Sequence, residues 1–294
     1  SSILLDGPLL YVNTSNGLKS QHDGVEKPEA PSLIVVDKAT GRLVARDRED
    51  IGPRIFHSTW SSPALGNVGD SRRIFFCGGD GVCYGFRALE PSGATEPVQT
   101  LERIWRFDCD PTAPKEDLNS YKRNRRVSPS NIKSMPVFHN NRLYVTVGGD
   151  IWWGKNEAWL QCIDATKTGD VTETALLWSH PLNRHCCSTP SIHDGLAFVS
   201  DCGRTVHCVD AETGQPYWTH DAEGEMFGST LVADGKVYVG TRHGTFWVLA
   251  AEKEKRVIAE IELDTRMSST PVAANGVLYL ATHETLWAVE KQDK

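Results

Sequence analysis

Short runs of alternating apolar and polar residues, each opened by a tight-turn dipeptide, recur along the whole chain. Asp6-Gly7 precedes Leu9-Leu10-Tyr11-Val12, Asn140-Asn141 precedes Leu143-Tyr144-Val145, and Asp194-Gly195 precedes Leu196-Ala197-Phe198-Val199. Asp234-Gly235 and Asn275-Gly276 stand in the same way before Val237-Tyr238-Val239 and Val277-Leu278-Tyr279-Leu280. A period of two is the mark of a half-buried strand. Asn-Gly and Asp-Gly tolerate φ > 0 at both turn positions, so each dipeptide predicts a hairpin. Upstream lies a Ser/Thr pair: Ser61-Ser62-Pro63, Ser188-Thr189-Pro190, Ser229-Thr230-Leu231 and Ser269-Thr270-Pro271, with looser copies at Ser1-Ser2-Ile3 and Ser134-Met135-Pro136. Downstream, a third strand runs into a second turn at Val35–Gly41, Cys162–Thr166 and Cys208–Gly214. A fourth carries Trp105, Trp178 or Trp218, with Ala45 and Ala259 in the matching places of the first and fifth copies. No stretch sustains a helical period.

The repeating unit is therefore four short antiparallel strands. Successive copies, measured at positions 3, 63, 136, 190, 231 and 271, lie 60, 73, 54, 41 and 40 residues apart. About 40 residues is the length of a propeller blade, and the excess falls in insertions at 17–31, 110–133 and 149–158. A blade has two apolar faces and cannot bury them alone, so neighbours must stack about an axis. The expected fold is an all-β propeller forming one domain over 1–294, with approximate blades 1–57, 58–131, 132–185, 186–225, 226–265 and 266–294. The sixth copy stops after its third strand, at Trp287-Ala288-Val289. Ser1 opens directly into an innermost strand with no basic or apolar leader before it, and the expectation is that the natural chain extends further upstream.

Composition narrows this picture. Length alone, 294 residues, allows two ordinary domains or one large one, and the repeat decides for one. The 25 Gly and 15 Pro follow from the number of tight turns. A net charge of −7 argues against a nucleic-acid partner, because duplex binding needs a basic footprint. No run of 18 apolar residues predicts a transmembrane segment.

The turn Asp210-Ala211-Glu212-Thr213-Gly214 followed by Trp218 resembles the quinoprotein-type (PQQ-like) propeller repeat, and the likeness extends over nearly the whole chain. The segments Tyr11–Gly17, Ala30–Ser32, His57–Pro63, Gly78–Gly81 and Trp105–Cys109 look closest to PQQ-binding-like propeller proteins of planctomycete-type bacteria. The resemblance implies a secreted or periplasmic protein with about two further blades upstream, about eight in all.

Cys186-Cys187 is the sharpest chemical feature. Adjacent cysteines can close a strained eight-membered ring. In quinoprotein alcohol dehydrogenases such a ring stacks on the quinone at the opening of an inner strand, where this pair also stands. The resemblance thus implies a cofactor site at Cys186, Cys187 and His185, taking PQQ with calcium; two small core residues are the plainer reading. Cys162 and Cys208 occupy the blade position of Val35 and Val248 and read as core. Cys77/Cys83 and Cys202/Cys208 each straddle a hairpin, which permits a cross-link in an oxidising compartment but does not establish one. No zinc or haem spacing occurs, so no metal ligand is assigned.

Residues that open inner strands line the channel mouth of a propeller. His57, Arg184, Arg266 and Met267 are accordingly expected on its rim with His185. Lys122–Arg126 is the one basic run, and Trp152 and Trp153 stand in another insertion. Trp152, Trp153, Arg123, Arg125 and Arg126 are candidates for partner contact, against a solvated loop and packing on a neighbouring blade. The sequence reads best as a secreted or envelope-located scaffold binding a protein partner or a small molecule in the channel. The alternative is a PQQ-dependent oxidoreductase acting on an alcohol or sugar, and a hydrolase or lyase using the rim histidines comes third.

Overall fold

The computed structural model describes residues 2–90 and 97–290. Ser1 of the Ser1-Ser2-Ile3 copy and Lys291–Lys294 lie outside the described residues.

Six sheets follow one another along the chain, as the repeat predicts. The first contains Leu4–Asp6, Leu9–Asn13, Leu33–Asp37 and Leu43–Arg46. The second contains Ala64–Val68, Ser71–Cys77, Val82–Arg87 and Arg103–Asp108. Val137–His139, Arg142–Gly149, Ala158–Asp164 and Leu176–Leu182 make the third. Ser191–His193, Leu196–Ser200, Thr205–Asp210 and Pro216–Asp221 make the fourth. The fifth is Leu231–Ala233, Lys236–Gly240, Thr245–Ala250 and Val257–Glu262. The sixth has the three strands Val272–Ala274, Val277–Ala281 and Leu286–Glu290. Innermost strands meet across blades, Val137–His139 lying against both Ala64–Val68 and Ser191–His193. This is a propeller built around an axis.

The interior lies between blades rather than within them. Leu9, Tyr11 and Val35 of the first blade pack with Ile74, Phe76 and Phe86 of the second, and four further cores join each later pair of neighbours. The fourth-strand position obeys the repeat: Trp105, Trp178 and Trp218 pair with Gly85, Cys162 and Cys208, while Ala45 and Ala259 pair with Val35 and Val248. The indole N–H of Trp178 reaches forward to the Ala211 carbonyl at 3.2 Å, and that of Trp218 to the Glu252 carbonyl at 2.9 Å.

The Ser/Thr pairs have a structural cause. The amide of Ser2 donates to Ser62 Oγ at 2.7 Å, that of Met135 to Thr189 Oγ1 at 3.0 Å, that of Thr189 to Ser229 Oγ at 2.9 Å, and that of Ser229 to Thr270 Oγ1 at 2.9 Å. An inner strand has no sheet partner on its axial side. A hydroxyl from the next blade satisfies amides that would otherwise be stranded there.

Two features had no signal in the pattern. Gln99–Thr100 pairs in parallel with Leu43–Arg46 of the preceding blade, and Gly169–Asp170 does the same with Arg103–Asp108. Such two-residue polar segments carry no hydrophobic period. Apolar side chains remain uncovered at both ends of the series, Ile3 and Leu5 on the first blade and Leu286, Trp287 and Val289 on the sixth.

Candidate functional site

In an up-and-down blade, the second-to-third turns and the fourth-to-first connections emerge on the same face. The three insertions therefore collect there, and they knit together. Leu18 N–H donates to the His57 carbonyl at 3.0 Å, Arg123 N–H to Trp153 O at 2.7 Å, and Asn156 N–H to Arg125 O at 3.2 Å. The Asp-Gly and Asn-Gly hairpins lie on the opposite face.

At the axial end of this loop face stands Asp150, fully buried. Its Oδ2 accepts from Lys133 Nζ at 2.7 Å, from Asn131 Nδ2 at 3.1 Å and pairs with His57 Nδ1 at 3.0 Å. Its Oδ1 accepts the amides of Trp152 and Trp153, each at 2.9 Å. Burial opposes the charge, but the Lys133 ammonium and the His57 hydrogen bond hold the carboxyl far below the usual carboxylate range. This acid was not singled out from the sequence. A signal existed: Asp80, Asp150 and Asp201 open the second-to-third turn in three successive blades, and each caps its own turn amides. Their side-chain partners differ: Arg54 and Tyr84 for Asp80, Lys133 and His57 for Asp150, and His207 for Asp201.

Aromatic rings surround His57. Its ring centroid is 6.5 Å from Trp60, 5.6 Å from Trp152, 6.3 Å from Trp153 and 5.6 Å from His22. Trp60 and Trp152 meet edge to face, with centroids 5.5 Å apart and planes at 74°. They are 38% and 43% exposed, which leaves open aromatic surface at the mouth. Below them a cavity of about 320 Å³ runs along the axis, lined by Trp60, Lys133 and hydroxyl-bearing residues including Ser62, Thr189 and Thr270.

The other predicted contact residues take different places. Arg125 is spent on bracing the 150–157 loop, donating to the carbonyls of Ile151, Trp152 and Gly154 at 3.2, 2.9 and 3.1 Å. Arg123 lies over the Trp153 ring at 5.3 Å. Arg126 is exposed beside them. Arg184 is exposed and lies against Gly203. Arg266 is exposed and donates from Nε to His283 Nδ1 at 3.1 Å. Met267 corrects the rim assignment: it is fully buried among Phe246, Val248 and Leu280, between the fifth and sixth blades. A thioether facing an interblade core fills space and is not available to a ligand in the channel.

Cys186 and Cys187 are separate thiols, as are the other cysteines. Cys186 turns into the core between the third and fourth blades and donates to the Ser200 carbonyl at 3.1 Å. Cys187 lies against Cys202, where a hydrogen bond from that thiol lowers its pKa against the effect of burial. Nor do the hairpin pairs behave alike. Cys77 and Cys83 are register partners with sulfurs 3.1 Å apart, and Cys109 lies 3.5 Å from Cys83. Cys208 instead faces Phe198, remote from the turn that holds Cys202.

His185 is buried with no partner for Nδ1, and burial followed by the Arg184 charge lowers its pKa to about 4. His207 pairs with Asp201 at 2.9 Å and with His180 at 3.3 Å, His220 packs on Trp247 at 4.4 Å, and His193 pairs with Asp194 on the surface. These residues do not fit a quinone with calcium. The two thiols are not joined and take different partners, the Ser200 carbonyl and the Cys202 thiol, so they offer no ring to stack on, and the acid of the axial site is already neutralised by an ammonium. Among the described residues, no group of three or more His, Cys, Asp or Glu is arranged to hold a metal.

Comparison with known proteins agrees with the fold. Two bacterial enzymes share a segment with the chain. The quinohemoprotein alcohol dehydrogenase of Comamonas testosteroni is 30% identical over 108 residues, 32% of this chain and 15% of that enzyme. The 1-butanol dehydrogenase (cytochrome c) of Thauera butanivorans is 31% identical over 101 residues, 30% and 15% respectively. The match thus spans only a small part of either dehydrogenase. The crystal structure of BamB from Moraxella catarrhalis superposes with a TM-score of 0.64 at 13% identity, covering 97% of this chain and 70% of that one. The computationally designed Ika8 protein gives 0.60 at 12% identity, covering 98% and 70%. At such identities the likeness is one of fold. The family described as outer membrane protein assembly factor BamB matches residues 99–293, and the chain belongs to that family.

Proposed function

We propose that this protein is a binding scaffold of the bacterial cell envelope, periplasmic or extracellular, which docks a protein partner on its loop face. One observation carries the reading. The repeated sheets stack about one axis, and the three insertions gather on one face, where Trp152 and Arg126 are displayed beside Trp60. Loops held by a rigid scaffold are the usual place for recognition, and exposed Trp and Arg are the side chains that dominate interfaces. Membership of a family described by an assembly factor of the outer membrane supports the location and the role.

The test is co-isolation of the full-length protein with envelope proteins after mild cross-linking, in the wild type and in a Trp152→Ala/Arg126→Ala variant. The expected result is a defined partner, re-formed as a complex from purified components, whose recovery falls about tenfold or more in the variant. Recovery unchanged by the loop-face substitutions, or no partner at all, overturns the proposal. Quinone-dependent oxidation is not favoured by any group in the axial site.

A further inference from the structure

We infer that the axial mouth is a binding site for an anionic oligosaccharide, with a sugar ring seated on Trp60 and Trp152 and its acid group drawn to the arginines of the surrounding loops. The inference rests on the loop face being the recognition face and names a ligand for its centre.

Three observations converge. The first is aromatic: Trp60 and Trp152 form an open corner with planes at 74°, and Trp60 also lines the cavity beneath. Flat indole faces suit the C–H faces of a pyranose ring, while the sugar's hydroxyls need polar partners alongside. The second is the cavity wall, where the Ser62, Thr189, Ser229 and Thr270 hydroxyls each accept one amide and keep a proton to donate. The third is charge. Lys133 is buried and paired with Asp150, so the charge on offer comes from the loop arginines, of which Arg123 covers Trp153. Arg125 donates to neutral carbonyls in every side-chain hydrogen bond described for it, so its charge is not balanced by those bonds. The acid of the cluster, Asp150, is shared between Lys133 and His57. Exposed arginines clustered beside the mouth, in a chain of net charge −7, make it a local attractor for anions.

An acidic peptide fits these features less well. Extended peptides bind by adding to a free sheet edge. Around this cavity the amides of Met135, Thr189 and Ser229 already donate to Thr189, Ser229 and Thr270 hydroxyls. What remains available is aromatic faces, hydroxyls and positive charge.

Calorimetry on the purified full chain tests this with four probes: tetragalacturonic acid, a heparin tetrasaccharide, neutral maltotetraose and pentaglutamate. The first two separate a carboxylate sugar from a sulfated one. The expected result is binding of at least one acidic tetrasaccharide, weakened about tenfold or more by Trp60→Ala and by Trp152→Ala and weakened by added salt. Maltotetraose and pentaglutamate are expected to bind at least about tenfold more weakly than that sugar. Trp152→Ala removes a half-exposed ring, and an unchanged melting temperature shows that it leaves the fold intact. Failure of both acidic sugars to bind, full binding by both tryptophan variants, or equal binding of pentaglutamate overturns the inference. Co-isolation of a protein partner is measured separately, so failure here leaves that result standing, and the reverse.

Discussion

Trp178 of the third blade lies directly over Gly214 of the fourth, so that a β-carbon on Gly214 would come within 2.6 Å of the indole. Gly214 also sits at φ +73°. Gly214→Ala therefore meets two penalties, left-handed strain and a clash with a ring that the Ala211 carbonyl holds in place. Gly195 has nearly the same φ, +74°, but open space at its β-position. Overpacking costs about 1–3 kcal/mol, and in a chain of this size each kcal/mol lowers Tm by about 2–4 °C. Thermal melting should show Gly214→Ala losing more than Gly195→Ala, and the difference measures the Trp178 contact. Equal losses would remove that contact from the account.

Asp150 holds the axial cluster together. Asp150→Ala leaves Lys133 buried and unpaired, which costs about 3–5 kcal/mol. It also strands the amides of Trp152 and Trp153. The double variant Asp150→Ala/Lys133→Met removes the lone charge, and urea unfolding should show it recovering part of the loss. If the double variant is as unstable as the single one, the charge pair is not what stabilises the site.

Acid should weaken the protein in two separate stages. His180 and His185 have an ordinary value of 6.5, and in the folded state burial lowers both to about 4, with help from His207 and Arg184 respectively. The unfolded chain then binds more protons between about pH 6.5 and 4, so this stability is complete above about 6.5 and is lost as pH falls toward 4. Asp150 has the depressed pKa of a paired carboxylate. Its contribution persists through that window and is lost only in stronger acid. Urea midpoints at pH 7.5, 6, 5 and 4 should decline, and a His180→Gln/His185→Gln variant should decline less. Equal slopes would show that these histidines are not buried neutral.

Mild oxidation should discriminate among the cysteines. Cys77 and Cys83 are cross-strand partners with sulfurs 3.1 Å apart, while Cys186 bonds to the Ser200 carbonyl and Cys187 to Cys202. Treatment with oxidised glutathione takes two electrons and two protons from the Cys77/Cys83 pair as the oxidant is reduced to two thiols. Peptide mapping should find a Cys77–Cys83 link and none between Cys186 and Cys187. A Cys186–Cys187 link formed in preference would reverse the assignment of those two thiols.

The repeat made the fold legible because each level of it agreed. The period of two, the Asp-Gly and Asn-Gly turns, the Ser/Thr pairs and the Trp of the fourth strand all recur in register, and the sheets follow them. Cys162 and Cys208 were readable as core for the same reason, since each stands opposite a tryptophan as Val35 stands opposite Ala45. The site was less legible. His57 could be placed near the channel from its position in the repeat. Its partner Asp150, 93 residues away, could not, because insertions of unequal length separate them. Met267 went astray since a one-residue shift at the opening of an inner strand changes rim to core. Arg125 looked available as part of a basic run, but its guanidinium is used by three carbonyls that only the folded loop brings together.

The most direct test of the loop face as the recognition surface is site-specific photocross-linking in cells that make the full-length protein. One photoreactive residue replaces Trp152 on the loop face, and another replaces Asn275 in a hairpin of the opposite face. The account predicts a discrete adduct from position 152 and none from position 275. An adduct from position 275 with none from position 152 would contradict it.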